Sequence, residues 1–378
     1  MKIGILCYPT FGGSGVVATE LGKALAEKGH SVHFITYSQP VRLEHFMENV
    51  FYHEVSVADY PLFEYAPYET ALTSKLVDVA RFEKLDIVHV HYAIPHASVA
   101  YMAKKIMESQ GLKLPFITTL HGTDITLVGK NESYAPVVSF AINQSDAVTS
   151  VSQSLKNDTY KNFNIKNEIE VIPNFIDLRR FNKQRRDHFR RAIAPNNERL
   201  VVHASNFRPV KRVSDVIEIF QKINSRIPSK LLLIGDGPDR SRIEKEVREC
   251  SCGENISFLG KMDVVEEILS ICDLFVLPSE SESFGLAALE AMACQVPVIS
   301  TNTGGLPEVI VNGFCGYMSN VGDTDEMSKN AIHILDDDDR LIKFKQNALT
   351  QAKKFEINNI LPLYEKLYQK VIAESLAK

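Results

Sequence analysis

The chain has 378 residues, which at about 150 residues per domain predicts two domains. Its composition of 24% charged and 45% hydrophobic residues excludes global disorder. A net charge of −5 argues against nucleic-acid binding, which depends on excess cations, and six scattered cysteines without a Cys-x-x-Cys pair indicate a reducing cytoplasm.

Along the chain, short apolar runs alternate with longer stretches of helical spacing, a pattern typical of parallel sheets built from β-α-β units. The first apolar run is too short for a secretion signal or a membrane span, so we expect a buried strand and no membrane partner. Strands are predicted in the first half at residues 2–8, 31–36, 87–91, 116–120, 147–151 and 170–172.

The same alternation restarts near residue 200 and predicts a second domain. Its strands are predicted at residues 200–204, 230–234, 256–259, 274–277 and 298–300. The arginine-rich stretch before them lacks an apolar period, and we interpret it as a linker and the first helix of the second domain. We therefore expect an α/β fold with two doubly wound domains, 1–173 and 174–354. A final helix at 355–378 is expected to pack towards the N-terminal domain.

A glycine-rich loop, Gly12-Gly13-Ser14-Gly15, separates the first predicted strand from a helix. Glycines let backbone N–H groups approach a ligand, and a helix N-terminus favours an anion, so the loop suits a phosphate. Residues 13–18 also satisfy the dinucleotide fingerprint G-x-G-x-x-A, so a nicotinamide-dependent dehydrogenase is an alternative. Against it, the loop from residue 8 to 13 is long, and the second strand ends without an acidic residue for a ribose diol.

Two cations, Arg208 and Lys211, follow the first strand of the second half. They stand where parallel sheets bind ligands, and two fixed cations suit a diphosphate, although a solvated basic turn would carry the same residues.

Two carboxylates, Glu282 and Glu290, lie on either side of a predicted helix start. Carboxylates accept hydrogen bonds from hydroxyl groups, and free amides at a helix start face negative charge; here these belong to Phe284, Gly285 and Leu286. A sugar nucleotide presents both groups.

These motifs, with the segments 235–238 and 304–308, resemble the retaining glycosyltransferases of family 4 over nearly the whole chain. The resemblance implies the GT-B fold, two Rossmann-like domains with parallel sheets facing across a cleft. Segments 58–63, 91–97 and 121–126 are similar to members that transfer GlcNAc from UDP-GlcNAc to the hydroxyl of L-malate, the first step of bacillithiol biosynthesis. Alternatives are a family 4 enzyme with a sugar or lipid-linked acceptor, and a catalytically silent sugar-nucleotide sensor.

The resemblance also implies roles for individual residues. Arg208 and Lys211 would hold the UDP diphosphate, Glu290 the ribose, Glu282 the donor sugar, and His121 would lie by the reacting face of that sugar. The expected catalytic residues are His121, Arg208, Lys211 and Glu282. The expected donor-binding residues are Gly13, Ser14, Gly15, Arg208, Lys211, Gly235, Glu282, Phe284, Gly285, Leu286 and Glu290. The acceptor candidates are Ser14, Tyr92, Thr119, His121 and Asn174.

We expect neither a metal nor a cofactor. The acidic string 336–339 follows a helical run and is interpreted as a solvated loop, and His89 with His91 lacks a third ligand at zinc-like spacing. Gln295 replaces a glycine that is common in the family, and a surface turn is expected there. The sequence leaves open whether the chain forms a homodimer.

Overall fold

The structure, a computed structural model, describes residues 1–10, 12–43, 46–57, 65–126, 131–184 and 187–377, without the side chain of residue 187. Backbone contacts divide the chain into two units: Met1–Asn174 with Ile357–Lys378, and Phe175–Glu356. Each unit contains one parallel sheet with helices, which confirms the predicted α/β fold of two Rossmann-like domains.

The strands of the first unit are β1 (Lys2–Leu6), β2 (Ser31–Thr36), β3 (Val50–Glu54), β4 (Ile87–His91), β5 (Phe116–Leu120), β6 (Ala147–Ser150) and β7 (Ile169–Val171). They form one sheet in the order β3-β2-β1-β4-β5-β6-β7. Ile3 of β1 lies opposite Val32 on one side and Ile87 on the other. The strand order reverses between β1 and β4, so the loops after these strands border the crevice where such sheets bind ligands.

The helices of the first unit are α1 (Gly13–Glu27), α2 (Tyr68–Glu83), α3 (Ser98–Ser109), α4 (Thr123–Thr126), α5 (Ala135–Gln144), α6 (Gln153–Asn162) and a C-terminal helix (Ile357–Ala377). The helical spacing of α1 buries Val17, Leu21 and Leu25. Each such side chain contributes about 1.5–3 kcal/mol on burial. The C-terminal helix buries Tyr364 and Tyr368 completely, so it belongs to the core of this unit.

The strands of the second unit are β8 (Arg199–Ala204), β9 (Ser229–Ile234), β10 (Ile256–Gly260), β11 (Leu274–Leu277), β12 (Val298–Thr301) and β13 (Gly316–Ser319). Their order is β10-β9-β8-β11-β12-β13, and all pairs are parallel. Here the order reverses between β8 and β11. The loops after β8 and β11 carry the 208–211 and 279–283 motifs that the sequence singles out.

The helices of the second unit are α7 (Asp187–Ile193), α8 (Val213–Asn224), α9 (Arg240–Glu249), α10 (Val265–Leu269), α11 (Leu286–Ala293), α12 (Leu306–Val309), α13 (Thr324–Leu335) and α14 (Asp338–Ala352). The core of this unit includes Phe220 of α8, Leu231 of β9 and Val276 of β11, all without exposed surface. α7 lies in the arginine-rich stretch and is the helix predicted there.

All eleven predicted strands are present, with ends that differ by at most two residues. Two strands were missed, β3 and β13. β3 is an edge strand whose residues are half-buried or exposed, so it lacks the apolar run that marks the central strands. β13 is short and begins with a glycine.

The turn after α11 holds Gln295 in the left-handed region, at φ 61°. The N–H of Gln295 bonds to Met292 O, and the N–H of Val296 bonds to Ala291 O, which is the Schellman arrangement. This arrangement favours glycine, the residue that the resemblance leads us to expect here, since a side chain in the left-handed region costs about 1 kcal/mol. Gln295 is half-buried rather than on the surface as expected.

Replacing Gln295 with glycine is expected to stabilise the second unit by about 0.5–1 kcal/mol, or about 2–4 °C in Tm, because it removes the strain of a left-handed side chain. Urea unfolding followed by circular dichroism measures the change. Gln295→Ala is the matched control, because it shortens the side chain and keeps the strain. A glycine variant no more stable than the alanine variant would contradict this account.

Candidate active site

The cationic turn of the second unit is joined to the loop after β11. Lys211 Nζ lies 2.5 Å from Glu282 Oε1, and Ser279 Oγ donates to the same oxygen at 2.9 Å. The backbone N–H of Glu280 bonds to Val210 O at 2.8 Å, which fixes one loop to the other. Two residues 71 positions apart thus meet because β8 and β11 are neighbours in the sheet.

Arg208 lies in the same turn, immediately before a short 3₁₀ helix, Pro209–Lys211. Its side chain is exposed and forms no ion pair with the described part of the chain. Lys211 is fixed by Glu282, whereas Arg208 is available to a ligand.

Glu282 is held from its other side by the loop after β12. The N–H of Gly305 bonds to Glu282 O at 2.8 Å. Gly304 has φ 58°, and a Cβ there would lie 1.9 Å from Glu282 O, so the position accepts only glycine. The Gly304-Gly305 motif therefore supports the Glu282 loop by close backbone contact.

α11 begins at Leu286 after Gly285, which has φ 97°. The first-turn N–H groups of this helix have no intrahelical acceptor and favour an anion. Phe284 is buried and packs edge-on against Phe355, with ring centroids 5.7 Å apart, which anchors the helix start. Glu290 lies four residues after Leu286, on the same helix face, and is 9% exposed.

The loop after β9 packs against the loop after β8. Gly235 donates its N–H to Gly260 O at 2.7 Å, and the N–H of Asp239 bonds to Phe207 O at 2.9 Å. The 235–239 turn therefore lies beside the loop that leads to Arg208.

His203 of β8 positions that loop, a role that the sequence did not indicate. Its Nδ1–H donates to Val276 O at 2.8 Å, so Nε2 accepts from Ser205 Oγ at 2.8 Å. Burial lowers the pKa of His203 to about 4, so the ring is neutral at pH 7. The only sequence signal was a histidine in an apolar strand.

In the first unit, the glycine-rich loop leads directly into α1. Ser14 and Gly15 are buried, whereas Gly13 is exposed. A Cβ at Gly15 would lie 2.4 Å from Tyr8 O and 2.5 Å from Thr10 O, so the helix start packs directly on the loop backbone. This arrangement brings the N-terminus of a 15-residue helix to the crevice after β1.

Tyr92 and His121 follow β4 and β5, and Asp124 ties their loops together. The carboxylate of Asp124 accepts the backbone N–H groups of Ala93 at 3.1 Å and Gly122 at 2.9 Å. Tyr92 has φ 91°, a strained conformation of a kind found at functional sites, and its ring lies 5.6 Å from that of His121. Asp124 lies in the segment 121–126 that carries part of the family resemblance, but the sequence did not indicate this role.

His121 is hydrogen-bonded to a buried histidine. Its Nε2 lies 2.8 Å from His91 Nδ1. Burial lowers the pKa of His121 to about 3 and the pKa of His91 well below its usual value. His121 can therefore give or take a hydrogen bond at pH 7 but brings no positive charge.

The other two acceptor candidates, Thr119 and Asn174, are both buried. The hydroxyl of Thr119 is fully buried and is bonded to His89 Nε2 at 2.7 Å and Thr149 Oγ1 at 2.6 Å. Thr119 therefore belongs to the interior of the sheet. Asn174 is 6% exposed, and its Oδ1 has no hydrogen-bond partner among the described residues.

His89 bonds to Tyr368 OH at 2.8 Å as well as to Thr119, so both ring nitrogens of His89 contact protein groups rather than an open ligand position. The acidic string 336–339 is exposed as expected, but it is not a loop, because Asp338 and Asp339 form the first turn of α14 and Asp337 caps that helix by accepting from the N–H of Arg340. The segment 58–63 lies outside the described residues.

None of the helices in the described ranges is both long and apolar enough to cross a bilayer.

Two family models match the chain: Glycosyltransferase Family 4 over residues 11–180 and Glycosyl transferases group 1 over residues 184–351. The chain is 46% identical over 376 residues to the N-acetyl-alpha-D-glucosaminyl L-malate synthase of Bacillus anthracis. The aligned region covers 99% of this chain and 98% of the relative. It is 27% identical over 366 residues to an uncharacterised glycosyltransferase of Methanocaldococcus jannaschii, covering 96% of each.

Among solved structures, sucrose-phosphate synthase from Thermosynechococcus elongatus has a TM-score of 0.81 at 21% identity, covering 99% of this chain and all of that one. Anabaena HepE in complex with UDP and glucose has a TM-score of 0.81 at 20% identity, covering 98% and 99%. These likenesses support the fold. The two family models and the 46% identical relative show that the chain is a UDP-sugar-dependent glycosyltransferase. The chain belongs to glycosyltransferase family 4, with the Bacillus anthracis synthase as a relative over nearly its whole length.

Proposed function

We propose that the enzyme transfers GlcNAc from UDP-GlcNAc to the hydroxyl of L-malate, with retention of the anomeric configuration, as a step of bacillithiol biosynthesis. The 46% identity to the Bacillus anthracis synthase over 99% of the chain carries this proposal. The Lys211–Glu282 cluster at the strand-order reversal of the second unit supports it, because it presents cation, carboxylate and amide groups together. Six free thiols fit the expected cytoplasmic location.

The donor is proposed to bind the second unit. Arg208 and Lys211 would hold the diphosphate, and the N-terminus of α11 would face it with unpaired amides. Glu290 would accept hydrogen bonds from the ribose hydroxyls, and Glu282 from the sugar. Cations in the turn make a divalent metal unnecessary in this scheme.

The reaction is proposed to proceed on one face of the sugar. The bond between the anomeric carbon and the β-phosphate oxygen breaks, and its electron pair stays on the phosphate. The malate hydroxyl oxygen bonds to the anomeric carbon from the same face and passes its proton to a phosphate oxygen. No protein nucleophile is required, in contrast to a double displacement. A glycosyl-enzyme adduct detected by mass spectrometry would overturn this path.

The acceptor is proposed to bind the first unit, near Ser14, Tyr92 and His121. L-malate carries two carboxylates, and the N-terminus of α1, at which Ser14 lies, favours an anion. Because His121 is neutral at pH 7, it would supply a hydrogen bond and not a charge.

Ser14→Ala and Tyr92→Phe are each expected to raise the KM for L-malate about 10-fold, since each removes one hydrogen bond to a charged ligand. The KM for UDP-GlcNAc should change less than 2-fold. Steady-state kinetics with each substrate varied in turn measure both constants. Tyr101→Phe is the control, because this tyrosine lies on α3 and packs against Phe140 of α5. Unchanged malate KM values in both variants would remove these residues from the acceptor site.

The function itself is tested by UDP release. The purified enzyme is incubated with UDP-GlcNAc and a panel of hydroxy acids in EDTA, and L-malate alone is expected to give rapid release. Release with a sugar or lipid-linked acceptor instead would indicate another acceptor class. Tight UDP-GlcNAc binding without turnover would indicate a sensor, and NAD(H) binding without UDP-GlcNAc binding a dehydrogenase.

A further inference from the structure

Two cysteines of the second unit have their sulfur atoms in close contact. Cys250 follows α9, and its Sγ lies 2.8 Å from the Sγ of Cys252. This separation is about 0.8 Å longer than a disulfide bond, so the two Cβ–Sγ bonds already point towards each other. The spacing is Cys-x-Cys, a pattern that a search for Cys-x-x-Cys pairs overlooks.

The backbone that follows each of the two cysteines is already folded into a turn. The N–H of Gly253 bonds to Cys250 O at 3.2 Å, and the N–H of Asn255 bonds to Cys252 O at 2.9 Å. A Cβ at Gly253 would lie 2.3 Å from Val247 O, so this turn packs closely on the end of α9. Bond formation between the sulfur atoms therefore needs only a small movement of the side chains.

The two thiols have different surroundings. Cys250 is half-buried, and its Sγ accepts from Gln221 Nε2 at 3.0 Å and from the N–H of Cys252 at 3.4 Å. These two N–H donors hold the Cys250 sulfur in place, and its partial exposure lets it meet a disulfide from solvent before Cys252 does. Cys252 is 5% exposed, and burial raises its pKa to about 12, so it remains a thiol until it reacts.

Cys250 also borders a pocket between α8 and α9. The pocket has a volume of about 340 Å³. It is lined by residues that include Ser214, Gln221, Glu246, Glu249 and Cys250. A small molecule that enters this pocket reaches the sulfur of Cys250 before that of Cys252.

We propose that Cys250 and Cys252 form a reversible redox site that a low-molecular-weight disulfide oxidises. The Cys250 thiolate attacks one sulfur of that disulfide and releases a thiolate. Cys252 then attacks Cys250 Sγ, its proton passes to solvent or the leaving thiolate, and a second thiol is released. The disulfide is reduced to two thiols, and the protein loses two hydrogen atoms.

The test uses the full-length protein and oxidised glutathione. After incubation, free thiols are alkylated and the peptides are analysed by mass spectrometry. The peptide with Cys250 and Cys252 is expected to lose two hydrogen atoms and both alkylation sites, and dithiothreitol should restore them. Cys272, Cys294 and Cys315, all buried in the same unit, are internal controls and should stay unmodified.

Single variants distinguish the two thiols. Cys252→Ser should accumulate a glutathione mixed disulfide on Cys250, whereas Cys250→Ser should leave Cys252 unmodified. Gln221→Leu should slow the reaction about 2- to 10-fold, because one hydrogen bond to the sulfur is lost. A wild-type peptide that stays fully alkylatable, or that retains glutathione without closing the disulfide, would overturn the proposal.

Discussion

Replacing Lys211 with methionine is expected to lower kcat about 10²–10³-fold, while the KM for UDP-GlcNAc changes much less. Cleavage of the donor leaves extra negative charge on the β-phosphate, and a prepositioned donor at such a charge contributes about 3–4 kcal/mol to the transition state. Lys211 is prepositioned, because Glu282 holds its ammonium group at 2.5 Å and Ser279 holds that carboxylate.

A second variant tests whether the loss of kcat in Lys211→Met comes from lower stability rather than from the lost phosphate contact. Lys211→Met alone leaves the partly buried Glu282 carboxylate without its cation, and so lowers stability as well. The double variant Lys211→Met with Glu282→Gln removes that unpaired charge and should recover the melting temperature. Because Glu282 is itself proposed to bind the donor sugar, the kcat of the double variant is compared with that of Glu282→Gln alone and should be about 10²–10³-fold lower.

Lys222→Met is the matched control for loss of an ion-paired lysine. Lys222 lies in α8 of the same unit and pairs with Glu218 and Asp325, each at 2.7 Å. Because this pair is on the surface and away from the 208–211 turn, kcat should stay within 2-fold. A double variant as active as Glu282→Gln alone would show that Lys211 acts only as a structural partner.

The strands and the ligand-binding edges of the sheets were predictable from sequence. Central strands such as β1 and β11 are continuous apolar runs, because both faces of a parallel sheet are covered. Once the strands are placed, the motifs at Gly12–Gly15 and Arg208–Lys211 fall at carboxyl ends. β3 escaped prediction because an edge strand with a half-exposed surface has no such run.

The pairing of side chains was not predictable, because it depends on strand order and register. Thr119 lies opposite His91 in the β4–β5 register, and its hydroxyl reaches His89 and Thr149 on neighbouring strands. A sequence shows a threonine near the end of a strand but not which face it occupies. Asp124 likewise gains its role only through backbone N–H groups up to 31 residues away.

The first unit is expected to unfold near pH 5, well before the second. It holds five histidines that burial keeps neutral: His33 and His96 with pKa values lowered to about 4, His89 and His121 to about 3, and His91 well below the usual value. Among the described residues, the second unit holds one such histidine, His203, with a pKa lowered to about 4.

Stability of the first unit falls with falling pH because, below about pH 6.5, the unfolded chain binds more protons than the folded unit does. In the unfolded chain each histidine takes up a proton as the pH falls through about 6.5, whereas in the folded unit it stays neutral to about pH 4 or below. Each therefore removes about 1.4 kcal/mol of stability per pH unit below about pH 6.5. Asp124 acts in the opposite direction, since burial raises its pKa to about 6 and its protonation favours the folded state.

Five histidines against one aspartate give a net loss of about 5–6 kcal/mol per pH unit, or about 8 kcal/mol between pH 7 and pH 5. That loss is comparable with the whole stability of an ordinary domain, about 5–15 kcal/mol, whereas His203 alone costs the second unit about 2 kcal/mol over the same range. Urea unfolding at a series of pH values gives the slopes, and hydrogen exchange read by mass spectrometry assigns them to each unit. His96→Asn keeps a donor for His91 O and should reduce the slope of the first unit by about 1.4 kcal/mol per pH unit, while the exposed His188→Gln should leave it unchanged. Equal slopes for the two units would mean that the buried imidazoles already carry protons in the folded state.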